Sequence, residues 1–126
     1  MNPIEIFKTI YLGDRSIKKI IIDGYNENVA IQFDLISKVP KGKSIWDFYS
    51  DEDIENGYLT FVSVRTIKIL PLGAIANDYI SSIDISEKGN SFLAIISAGG
   101  YDTNRNRCEV VIEIVFSELK IENNYE

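Results

Sequence analysis

"CEVVIEIVFSELKI", residues 108–121, carries the clearest structural signal in the chain. Cys108, Val110, Ile112, Ile114 and Phe116 alternate with the acids Glu109 and Glu113. Period-two alternation of this kind puts one face of a β-strand in a core and the other in solvent. The same pattern recurs toward the N-terminus. "SSIDISEK" (81–88), the turn "KGN" and "SFLAIISA" (91–98) read as a hairpin, and "YLTFVSVRTIKIL" (58–70) reads as one long strand ended by Pro71. "SIKKIIID" (16–23) and "VAIQFDLISKV" (29–39) flank an Asp23-Gly24 turn, with Val29, Ile31, Phe33 and Leu35 on one face.

Five long strands follow, or six if residues 45–49 count, joined by short loops that favour antiparallel neighbours. "PLGAIANDYI" (71–80) reads as a connection in which Asn77 or Asp78 caps a helical turn. The N-terminal stretch is different. Asn2 as N-cap, Pro3 at the first helical position and Glu5 as the reciprocal capping residue predict a helix over 3–12, with Ile4, Phe7, Ile10 and Tyr11 on one face and Gly13 at its end. The expected fold is α+β and mostly β: an N-terminal helix on a strongly curved antiparallel sheet, with partial closure into a barrel left open. Val29, Ile31, Phe33, Val110, Ile112 and Ile114 should face inward.

Composition narrows the function. The 126 residues suit one domain. A net charge of −6 argues against nucleic acid and is compatible with a basic protein partner. No apolar run is long enough to span a membrane, the N-terminus lacks a secretory pattern, and the single cysteine, Cys108, fits a reducing cytoplasm. Histidine is absent, which removes the common triads, the commonest zinc sites and the usual proton shuttle near neutral pH. No cofactor and no metal are expected. Cys108 should pack in its strand, and the tail "ENNYE" should fray.

"WDFYSDEDIENG" (46–57) combines three aromatics with five acids. As a calcium loop starting at Asp51 it has Asn56 sixth and Val62 twelfth, where glycine and a bidentate glutamate are needed. It reads better as a short helical turn capped by Ser50, with Asp51, Glu52 and Asp53 in its first turn and Gly57 ending it in a left-handed conformation. Trp46 and Phe48 would then face the core. Asp47, Tyr49, Asp51, Glu52, Asp53 and Glu55 would form a solvated acidic edge for a partner, with Tyr49 as aromatic anchor. "GGYDTNRNR" (99–107) is a second candidate, a polar loop offering Tyr101, Asp102, Arg105 and Arg107. The Asp14-Arg15 pair is expected to bridge the helix end and the first strand.

Several stretches together resemble a small bacterial family of unknown function. They are "IYLGDR" (10–15), "IIIDGYNENVAIQFDLIS" (20–37), "WDFYSDEDIENGYLTF" (46–61) and "NDYISSI" (77–83). The resemblance implies no catalytic residue. In general character, though not in motif, the chain is similar to immunity proteins that neutralise bacterial toxins. The expected function is therefore a non-enzymatic protein-binding module, possible toxin neutralisation being its most concrete form. The alternative is a small-ligand-binding curved sheet or barrel. Oligomeric state is open.

Overall fold

Alternation along residues 107–116 produces β10 (Arg107–Phe116), whose Val110, Ile112, Ile114 and Phe116 are fully buried while Cys108 is half-buried. In the computed structural model, which describes residues 1–39 and 53–125, β10 lies between β9 (Ser91–Tyr101) and β7 (Thr66–Leu70). The other edge of β9 carries β8 (Ile75–Lys88). A second four-stranded sheet runs β11 (Glu118–Glu122), β6 (Tyr58–Val62), β3 (Asn28–Phe33), β2 (Ile17–Asp23). A small third sheet joins β1 (Ile10–Tyr11), β4 (Leu35–Lys38) and β5 (Ile54–Glu55). Among the described residues every pairing is antiparallel. There the fold is mostly β with one short helix, and the sheets do not close into a barrel.

Two predicted long strands break where the chain passes between sheets. Residues 58–70 split into β6 and β7 around Ser63, which adopts φ 56°. Residues 107–122 split opposite it at Ser117, whose N–H donates to the Val62 carbonyl at 3.0 Å. The paired breaks bend one ladder around the core, so the curvature is concentrated at two residues. Asp34 makes a similar break between β3 and β4. Val29, Ile31 and Phe33 are buried as alternation predicts, but beyond Asp34 Ile36 is buried and Leu35 is only half-buried.

The helix is shorter than its apolar stripe suggests: α1 spans Pro3–Phe7. Its start is as expected, with the Glu5 N–H donating to Asn2 Oδ1 and the Asn2 N–H to Glu5 Oε1, each at 2.9 Å. Thr9 stops it, because both its N–H and its hydroxyl turn back to the Ile6 carbonyl. Ile10 and Tyr11 then pair with Lys38 and Ser37 as β1. Residues 75–80 also differ. They open the 14-residue β8 instead of a helical turn, with register irregularities at 76–82 accommodating the polar Asn77 and Asp78. The core fills the space between the four-stranded sheets, where Phe61 and Phe116 meet edge to face at 4.9 Å.

Candidate functional site

Of the predicted acidic edge, Asp47, Tyr49, Asp51 and Glu52 lie outside the described residues, as do Trp46 and Phe48. Asp53 is half-buried, and its Oδ1 accepts the Lys38 N–H at 2.8 Å. It thus anchors β4 beside β5, a structural task that the solvated-edge reading did not anticipate. Glu55 is exposed. The left-handed residue is Asn56, φ 54°, one position earlier than expected. Gly57 is needed for close packing instead: a Cβ there would stand 2.8 Å from Ile54 Cγ2 and 2.9 Å from Ile36 Cδ1. Arg15 reaches across to β4, where its Nη2 donates to the buried Ser37 hydroxyl at 2.6 Å.

The second candidate contracts as well. Gly99, Gly100 and Tyr101 belong to β9 and Arg107 to β10, which leaves a loop of 102–106. Asp102 organises it. Its Oδ1 accepts the N–H groups of Asn104 and Asn106, both at 2.9 Å, and its carbonyl accepts from Arg105, which adopts φ 67°. Arg107 is committed locally. Its Nη2 donates to Asp78 Oδ2 at 2.7 Å, and its guanidinium lies 5.8 Å from the Tyr101 ring centroid. That hydrogen bond holds the Asp78 carboxyl below its ordinary range. Arg105 is exposed.

What the sequence reading missed is the apolar surface beside this loop. Leu72 is 87% exposed, Ile75 66% and Tyr79 61%. Gly73 sits at φ +83°, and a Cβ on it would come within 2.7 Å of Thr103 Cγ2, so the 71–74 turn packs directly on the 102–106 loop. Next to this contact lies a hollow of about 410 Å³ lined by Ile75, Asn77, Tyr101, Asp102 and Arg105. The available signal was the "PLGAI" run itself, apolar residues on either side of a glycine turn.

A second polar hollow, about 240 Å³, involves Asn28, Thr60, Lys120 and Tyr125. The C-terminal tail is tied down at Tyr125, where fraying was expected. Its hydroxyl donates to Asp23 Oδ2 at 2.6 Å, and its ring lies 6.4 Å from that of Tyr58. The Tyr125 hydroxyl, followed by the Asn26 side chain and amide, lowers the Asp23 pKa, while the same bond raises that of Tyr125. The signs set the working window. The lowered Asp23 contributes stability that is complete above its unfolded value near pH ~4 and fades as pH falls through the folded value. The raised Tyr125 contributes below about pH 10 and fades as pH rises through its folded value. In Tyr125→Phe, an NMR titration should find the Asp23 midpoint moved up toward the ordinary carboxylate value. An unmoved midpoint would mean that the tether is not formed.

Among the described residues no group of three or more His, Cys, Asp or Glu side chains is placed to hold a metal ion, and no helix is long and apolar enough to cross a membrane. The chain is similar to an uncharacterized protein from Neisseria gonorrhoeae of solved crystal structure. The identity is 14%, the match covers 90% of this chain and 94% of that one, and the TM-score is 0.48. No curated protein matches the sequence. A family model does match, along residues 1–126, and the chain belongs to that family, the family of unknown function DUF6258.

Proposed function

We propose that this protein is a non-enzymatic protein-binding module that docks its partner over the 70–79 turn and the adjoining 102–106 loop. The observation that carries the reading is the exposure of Leu72, Ile75 and Tyr79 within one short stretch, with Ile75 and Arg105 lining the 410 Å³ hollow. Large apolar side chains grouped at a surface lose more by facing water than scattered ones, and such patches mark interaction sites. A tyrosine and an arginine are also the usual chemistry of interface hot spots. Toxin neutralisation is the most concrete form of the function. The net charge of −6 favours encounter with a basic protein at long range. A small-ligand role has less support, because Phe61 and Phe116 fill the centre of the fold and the hollows lie at the surface.

The test is a photo-reactive residue at position 79 in the native host, with captured proteins identified by mass spectrometry. One specific partner is expected. Truncating both Leu72 and Ile75 to Ser should then weaken its binding by about 2 kcal/mol or more while leaving the fold intact. No partner from position 79, or full affinity in the double variant, would overturn the reading.

A further inference from the structure

We propose that the open side of the sandwich, between β2 and β7, receives an extended segment of the partner as an added strand, apolar on one face and acidic on the other. The inference rests on the docking reading above and specifies an acidic segment carried by an otherwise basic partner. Among the described residues, β2 pairs only with β3 and β7 only with β10, so each presents a row of unused N–H and C=O groups. The flanks of β2 are tied to the other sheet at both ends. After β2, the Glu27 carbonyl accepts the N–H of Val64, just before β7, at 2.7 Å. Before β2, Ser16 bridges to Tyr79 of β8 and the Arg15 carbonyl accepts the Ile80 N–H at 2.8 Å.

The side chains between the edges belong to the core by register. Ile20 and Ile22 stand opposite Ile31 and Val29, and Ile67 and Ile69 opposite Ile114 and Ile112; all four partners are buried. Yet Ile22 is 58% exposed, and Ile20, Ile67 and Ile69 are only half-buried. Inward-facing isoleucines in contact with water mean that the core reaches the surface here. Two hollows mark the slot, about 300 Å³ beside Ile20, Ile22 and Ile69, and about 230 Å³ beside Ile22, Val64 and Ile67. The free edge of β8 is built differently. It carries Ser82, Asp84, Ser86, Glu87 and Lys88 and is irregular in register, the features that discourage pairing.

Two arguments select the occupant. Paired backbone edges flanking an apolar slot suit an extended peptide, which can satisfy both edges and fill the slot with alternate side chains. The charges select acids. Lys18 and Lys19 line one hollow with no acid among its lining residues, and Arg65 lines the other. Of the two acids in that second hollow, Asp23 is already held by Tyr125, which leaves Glu27.

The experiment uses the full chain, isotope-labelled, and a blocked Val/Glu alternating peptide of about eight residues, a common strand length. Binding should slow hydrogen exchange at amides of both β2 and β7 by about tenfold or more. A Val/Lys peptide should bind at least about tenfold more weakly, as like charges meet Lys18 and Lys19. N-methylation of alternate peptide amides should abolish the protection. Equal binding by the N-methylated peptide would overturn strand addition, and equal binding by the Val/Lys peptide would overturn the acidic occupant. Protection that rises with protein concentration alone would make a second copy the occupant and overturn the proposal. Failure of the Val/Glu peptide while Ile75→Ser still weakens a captured partner would overturn the slot but leave the docking surface standing.

Discussion

Ile112→Ala is expected to lower unfolding stability by about 2–5 kcal/mol, the cost of truncating a core aliphatic side chain and leaving a cavity. The position warrants the upper part of that range. Ile112 is fully buried at the centre of β10, directly opposite Ile96 on one neighbour and Ile69 on the other. A ladder on both sides fixes its backbone, so the surrounding strands cannot collapse into the void. Urea unfolding followed by Trp46 fluorescence and far-UV circular dichroism measures it. The milder Ile112→Val should cost about 0.5–1.5 kcal/mol on the same scale. A wild-type midpoint in Ile112→Ala would contradict the inward facing of β10.

Gly100→Ala should be comparably damaging for the opposite reason, an added atom with no space. Gly100 lies on β9 between Ala76 of β8 and Cys108 of β10. A Cβ there would overlap the Ile75 carbonyl oxygen and stand 2.8 Å from Val110 Cγ2. The first obstacle is backbone and cannot rotate away, so β8 must shift. Overpacking of this kind costs about 1–3 kcal/mol, occasionally more. The displaced residue is Ile75, so the variant should also perturb the proposed docking surface, visible as amide shifts across 72–79. Gly99→Ala is the comparison. Its nearest neighbour would be Asp78 Cβ at 3.0 Å, a tighter than usual contact in which a neighbouring side chain can give slightly. A smaller loss is expected there. Equal thermal stability of Gly100→Ala and wild type would show that β8 and β9 are not so closely apposed.

The candidate site was only partly legible in advance. Tyr101, Asp102 and Arg105 were recognised as contact chemistry because they crowd a glycine-containing polar stretch, and they do line one hollow. Arg107 was grouped with them, but it belongs to a strand and is occupied by Asp78, a residue 29 positions away. Leu72 and Ile75 carry no local signal of exposure, because an apolar residue in a turn looks, in sequence, like one about to be buried. Asp53 was placed on a solvated edge because nothing local indicates that the Lys38 amide will arrive beside it.

The sequence by itself determined the inward faces of β3 and β10, the α1 cap and the antiparallel mostly-β class. These depend on interactions between residues two to four positions apart: alternation across a pleat, or Asn2 and Glu5 exchanging hydrogen bonds. Only the tertiary structure decided where α1 stops, where the long strands break at Ser63 and Ser117, and that Ile22 of β2 remains exposed although it faces inward. Each of those outcomes depends on partners distant in sequence. Ile10 and Tyr11 have helical spacing, yet they pair with β4, and Ile22 has the pattern of a buried residue but lies where two sheets do not meet. Local free energies of a few tenths of a kcal/mol per residue are outweighed when a whole strand edge or sheet face can be satisfied elsewhere.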